Sequence, residues 1–257
     1  MTKIEDSTFL AEGLRIIEAA RTKSIPLRLL GAVAIRLHCP ASTHLLEDMN
    51  RPITDLDFMA LAKHNVAIQD FLEEMGYVPD EAVMRYYGSH RHIWEHPDRP
   101  GLKVDIFFDC LRFCHVVDFT KRLELDYPTV TLTDVLLEKM QIVEINAKDL
   151  KDTLVMLCEH GLSEKEEPET INLSHLASVL GNDWGFWYTV TLNLGRCKEY
   201  LDGVAAFSPE ERRSILSRID GILAHLHSCP KSLKWKLREK IGTKAKWYTE
   251  VEEVHRL

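Results

Sequence analysis

The sequence predicts an α/β (α+β) domain followed by an α-helical one. Residues 1–130 alternate helical and strand patterns, whereas residues 131–257 read as helix after helix. A chain of 257 residues accommodates one large domain or two modest ones. Near the start, Leu10, Leu14 and Ile17 recur at helical spacing and Pro26 ends the segment. The apolar stretch Leu27 to Leu30 then meets Gly31 and leads into AVAIRLH, a strand-turn-helix pattern. A loop of mixed polarity over 40–52 precedes a strand, ITDLDFMAL. Asn65 caps a helix in which Ile68, Phe71, Leu72 and Met75 share one face, and Gly76 suits its C-terminal end. Two further strands are expected over 91–96 and 103–109, the second alternating cleanly as KVDIFFD.

The second half begins with Thr131 and Asp134 in a helix-start pattern, followed by Leu136, Met140 and Val143. The next helix carries Leu150, Leu154 and Leu157 and ends near Gly161, after which SEKEEPET reads as a polar loop. Ser208, Pro209 and Glu211 combine a capping box with a first-turn proline, ahead of the stripe Leu216, Ile219, Leu223 and Leu226.

With 45% hydrophobic and 28% charged residues, the composition is that of a soluble globular protein. The opening MTKIEDSTFL lacks a signal-peptide pattern, and no apolar run approaches the roughly 18 residues of a spanning helix. A cytoplasmic protein without a membrane partner is therefore expected. The six cysteines contain no C-x-x-C pair and read as reduced thiols; Cys110, Cys114 and His115 form at most half of a zinc site. A net charge of −8 argues against broad adhesion to nucleic acid. Residues 231–246 nevertheless form a basic stretch, and Trp235 and Trp247 offer stacking surfaces along an RNA track.

The residues most able to carry chemistry are Asp55 and Asp57. On a strand, side chains at i and i+2 project from one face, so both carboxylates point together while Leu56 and Phe58 enter the core. Two adjacent carboxylates repel, and a divalent cation with a preference for hard oxygen ligands relieves that repulsion. Asp105 lies on the second alternating strand and supplies a third carboxylate if the two strands pair. Three acids would hold two metals about 3.5–4 Å apart. Upstream, Gly31 sits where a strand becomes a helix, so that backbone N–H groups after it can meet phosphate oxygens. The stretch His90, His92, Trp94 and His96 shares one strand face by alternation and is expected to wall the site.

Leu30-Gly31-Ala32-Val33-Ala34, Thr54-Asp55-Leu56-Asp57-Phe58-Met59 and Val104-Asp105-Ile106-Phe107 occur in the order found in polymerase-β-type nucleotidyltransferases, and the chain resembles that superfamily. The stretch LLEKMQIVEINAKDLKDTLVML over 136–157 is similar to the helical pair of its AbiEii-type toxin-like branch. The resemblance implies a mixed sheet with flanking helices in a nucleotidyltransferase domain over residues 1–130, and a helical domain over 131–257. It implies Asp55, Asp57 and Asp105 as catalytic metal ligands for Mg2+ or Mn2+, with Gly31 and Ala32 at the nucleotide phosphates. Lys139 corresponds to the family lysine that neutralises charge on the triphosphate, and Asp149 and Asp152 to the paired acids that orient it or hold nucleobase and acceptor. Relatives commonly carry Gly-Gly or Gly-Ser in the first motif; Ala32 provides no hydroxyl for a phosphate.

The expected activity is transfer of a nucleotidyl group from a nucleoside triphosphate to an RNA or protein acceptor, with an antitoxin as a family-implied partner. Two alternatives stand beside it: transfer to a small hydroxylated molecule such as an antibiotic, and a catalytically inactive nucleotide-binding module.

Overall fold

The computed structural model describes residues 4–251. The chain divides into two compact units, one running to Leu111 with Asp118–Thr131 added, the other comprising Arg112–Val117 and the chain from Leu132 onward. The first is mixed α/β and the second is mainly helical, the fold class expected from the sequence.

The first unit begins with α1 (Asp6–Thr22), β1 (Leu27–Leu30), α2 (Gly31–His38), α3 (Thr43–Asp48) and β2 (Leu56–Ala60). It continues with α4 (Asn65–Glu74), β3 (Val78–Pro79), α5 (Glu81–Tyr87), β4 (Arg91–Glu95) and β5 (Lys103–Phe108). The five strands form one mixed sheet in the order β1-β2-β5-β4-β3. Only the β2–β5 pairing is parallel; β1–β2, β4–β5 and β3–β4 are antiparallel. Beyond β1, Leu29 donates to the Pro128 carbonyl at 3.0 Å and its own carbonyl accepts from Val130 at 3.0 Å, so residues 128–130 extend the sheet.

Alternation divides the sheet into two chemically different faces. Leu56, Phe58, Ala60, Val104, Ile106, Phe108 and Trp94 are fully buried with α1 and α4 in one apolar core. Asp57, Asp105 and Arg91 lie on the opposite face by register. The buried stripe of α1 is Phe9, Glu12, Ile16, Ile17 and Ala20, whereas Leu14 is 40% exposed. The expected stripe is thus rotated, because the helix buries a carboxylate that hydrophobic periodicity does not count. Gly76 ends α4 at φ +87°, the left-handed conformation expected of a C-terminal glycine.

A short ladder pairs β6 (Cys110–Arg112) with β7 (Val116–Asp118). The second unit then contains α6 (Leu132–Met140), α7 (Ala147–Glu159), the parallel pair β8 (Gly161–Ser163) and β9 (Thr170–Asn172), and α8 (Leu173–Leu180). It ends with α9 (Trp184–Asp202), α10 (Pro209–Ser228) and α11 (Leu233–Ile241). Ser208 and Glu211 form the expected capping box of α10. Its buried stripe is Ile215, Ile219, Ile222 and Leu226, so Leu216 and Leu223 sit at the edge rather than the centre.

None of the described helices is long and apolar enough to cross a membrane. All six cysteines are free thiols. His115 meets the Thr189 hydroxyl at 2.8 Å and stacks on Phe186, and burial pushes its pKa down to about 4, so it is neutral and engaged in packing.

Candidate active site

The first unit brings Gly31, Asp55, Asp57 and Asp105 to one end of the sheet. Asp57 pairs in register with Asp105 across the parallel β2–β5 ladder, and with Leu30 on the other side. Directly opposed residues in neighbouring strands project from the same face, so the two carboxylates are neighbours. Asp55 precedes β2 by one residue, accepts a 3.1 Å hydrogen bond from Thr54, and adds its charge to the field around Asp105.

Gly31 explains the local backbone. It adopts φ +63°, and a Cβ there would overlap a carboxylate oxygen of Asp57 and stand 3.1 Å from its Cγ. Only glycine lets the turn between β1 and α2 lie against that carboxylate. Ala32 follows, buried in the first turn of α2, whose N-terminus has no side-chain cap. Its leading N–H groups point out of the helix end, the kind of position where backbone donors meet an anion. Gly31→Ala should destabilise the protein by about 2 kcal/mol through left-handed strain and overlap. Urea unfolding checks this; an unchanged midpoint would contradict the close approach.

Behind the turn, Asp6 contacts Arg36 at 2.6 Å and accepts the Ile53 N–H at 2.9 Å. Arg36, buried, also donates to the carbonyls of Ala32 and Arg51. This network ties α1, α2 and the segment entering β2 together, so it fixes the acids relative to the glycine turn. Sequence reading missed both residues, because their contacts depend on tertiary proximity.

A cation is also present. Arg91 grips Asp105 at two points, Nε donating to Oδ1 at 2.9 Å and to Oδ2 at 3.1 Å, with Nη2 on Oδ2 as well. Burial works to lower the Arg91 pKa, but its bond with Asp105 and the charges of Asp105, Asp57 and Asp55 outweigh that and raise it. Burial raises the Asp105 pKa, Arg91 opposes this, and Asp55 adds to the rise. The guanidinium thus lies in the combined field of all three acids.

The expected histidine wall is corrected by the same register. His92 and Trp94 are fully buried on the core face, where His92 packs against Phe108 with ring centroids 4.6 Å apart, and burial lowers its pKa. The residues of β4 on the acids' face are Arg91 and Ile93, one position out of phase with the histidines, and Arg91 is the one that bonds Asp105. The sequence signal was present in the alternation itself: the polar-looking phase of this strand is the one that enters the core.

In the second unit, Lys139, Asp149 and Asp152 meet one another. Lys139 Nζ lies 3.1 Å from Glu138, 3.3 Å from Asp149 and 3.4 Å from Asp152. Asn146 caps α7 by accepting from the N–H groups of Lys148 and Asp149, which sets the phase that turns Asp149 and Asp152 to the lysine. Burial, with repulsion from Asp149 and Asp152, raises the Glu138 pKa against the pull of Lys139.

The expected stacking track on α11 is also corrected. Trp235 is 5% exposed and packs edge-on against Trp187, while Trp247 donates to Thr189 and meets Tyr188 edge-on. Arg238 donates to the carbonyls of Gly242, Ala245 and Lys246 and lies over Trp184. Both indoles hold the unit's own fold, and only the lysines remain as a basic surface.

No family model and no curated protein matches the chain. Among solved structures, the chain is similar to the solution structure of the antibiotic-resistance factor ANT(2'')-Ia at 13% identity. The match covers 86% of this chain and 98% of that one, with a TM-score of 0.40.

Proposed function

We propose that the protein is a metal-dependent nucleotidyltransferase that moves a nucleoside monophosphate from a nucleoside triphosphate to an acceptor hydroxyl. The observation that supports this most directly is the in-register pair Asp57–Asp105, with Asp55 close by and Gly31 beneath. Asp55, Asp57 and Asp105 are hard oxygen donors of the kind a divalent cation prefers, and they outnumber the one arginine beside them. Their oxygens do not all lie within 4.8 Å of one another, so holding an ion would need side-chain rotation. Magnesium or manganese held by these acids would supply polarisation of the attacking oxygen and charge neutralisation on the triphosphate.

The chain's own groups divide the remaining work. The Gly31 turn and the uncapped start of α2 would hold phosphate oxygens through backbone N–H groups. Asp105, in register with Asp57, would either take the proton of the acceptor hydroxyl or hold the catalytic metal. As the acceptor oxygen bonds to the α-phosphorus, the bond to pyrophosphate breaks, and cationic side chains stabilise the departing charge. The resemblance assigns the countering of that charge to Lys139, which Asp149 and Asp152 hold by ion pairs.

The acceptor class favoured by the resemblance is RNA or a protein side chain. Transfer to a small hydroxylated molecule is the second reading, and the burial of Trp235 favours it by removing one of the two stacking surfaces an RNA track would use.

The test is incubation with each labelled nucleoside triphosphate and magnesium, offering total RNA, protein and an aminoglycoside in separate arms. Label should appear in one arm, and Asp57→Ala should reduce it at least about a hundredfold, as expected when charge stabilisation at a reacting phosphate is removed. Equal transfer by both proteins, or none by either, would overturn the assignment.

A further inference from the structure

The sheet face that presents the three acids also carries its own counter-ion. Asp105 has 13% of its side chain exposed and Arg91 has 27%, so their ion pair is largely withdrawn from solvent. The contact is two-pointed and charge-assisted, the strong form of a carboxylate bond. Arg91 is held from behind, its guanidinium lying 5.1 Å from the centre of the Phe107 ring. Phe107 is also the residue directly opposite Arg91 in the β4–β5 ladder, so strand pairing itself fixes the arginine over Asp105. Both Asp105 oxygens accept from the Arg91 N–H groups, which leaves fewer lone pairs there for a metal.

Resting on the divalent-cation assignment above, we infer that Arg91 is a positioning residue that stands in for the metal, holding Asp105 and balancing the charge of the acids without it, and competing with it for Asp105. Without a cation, carboxylates on adjacent strands would repel, and the sheet end would lose stability. The guanidinium relieves that repulsion. A divalent ion that took both oxygens would displace it, so part of the metal's binding free energy would be spent on separating Arg91 from Asp105. Once displaced, the arginine remains on the same sheet face as an unpaired cation, suited to an anionic substrate group. Metal entry and the release of a phosphate-binding side chain would then be one event.

Arg91→Met keeps the aliphatic length against Phe107 and removes the competitor. Mn2+ binding, measured by titration calorimetry on the full chain without nucleotide, should tighten about tenfold, the lower end of coupling between close charge pairs. The metal-free variant should melt below the wild type, and the rise in melting temperature on adding Mn2+ should be larger than in the wild type. Arg91→Lys keeps the charge without the two-point grip, folds with less disturbance and should fall between the two. A role confined to packing predicts the reverse, weaker or unchanged Mn2+ affinity in both variants, and that result overturns the inference while leaving the nucleotidyltransferase assignment intact. Mn2+ binding by the variants but not by the wild type supports it. Absence of binding in all three proteins overturns both.

Discussion

Lys139→Met should lower stability by about 3–5 kcal/mol, the range seen when one partner is removed from a buried ionic group. Lys139 is 5% exposed and Asp152 fully buried, so the acids left behind cannot recover their lost interaction from water. Glu138 already has a raised pKa with the lysine present, because burial and its acidic neighbours outweigh the attraction. Without the lysine, the pKa of Glu138, already raised by burial, rises further above its unfolded value. The folded state then binds more protons than the unfolded state, and its stability increases as pH falls. The deficit of the variant should therefore be greatest near pH 8 and shrink toward pH 5. Urea unfolding of both proteins at the two pH values checks this. A deficit independent of pH would mean that lost packing, rather than stranded charge, is responsible. The same variant belongs in the label-transfer assay, where a loss of turnover in still-folded protein supports the role that the resemblance implies.

Glu12→Ala should cost about 3 kcal/mol at pH 7, the free energy equivalent of its pKa displacement. Glu12 is buried on the core side of α1, where burial by itself would raise its pKa. Arg15 donates to it at 2.8 and 2.5 Å, Tyr77 at 2.5 Å and Arg99 at 2.6 Å, and together they hold it at about 2 against an ordinary 4.5. A carboxylate with a depressed folded pKa stabilises above its unfolded value, and that stabilisation is lost as pH falls toward the folded one. The difference in unfolding free energy between wild type and variant should thus be constant above pH 5 and decline between pH 4.5 and 2. Should the difference persist undiminished at pH 2, the hydrogen-bonded carboxylate is not its source. Because α1 also carries Asp6, which holds Arg36 and the segment entering β2, loosening this helix is expected to disturb the acids as well.

Much of the fold was legible without coordinates where local rules act alone. The strand-turn-helix at Leu27 to His38, the alternating strand Lys103–Phe108 and the capping box at Ser208 each follow from residues adjacent in the chain. The neighbourhood of the acids was legible in part. Asp55 and Asp57 were legible as two acids at the start of one strand, although Asp55 lies just before it, and the approach of Asp105 required knowing that β2 and β5 are parallel neighbours. The phase of α1, the direction of the His92 strand and the burial of Trp235 were not legible, because hydrophobic periodicity treats Glu12 and His92 as surface residues and an indole beside lysines as free.

The sequence by itself determined the strand-turn-helix around Gly31, the two acid-bearing strands and the carboxylates available for metal, since these depend on dihedral preference, side-chain alternation and residue chemistry. The helix over Thr43–Asp48, read as a loop, and the helix Glu81–Tyr87 were not legible. The tertiary structure alone decided that Arg91 lies on Asp105, that Asp6 and Arg36 brace the turn, and that Glu138 joins Asp149 and Asp152 around Lys139. Those pairings join residues distant in the chain, and the free energy of a charge pair depends on burial and separation, which sequence spacing does not specify.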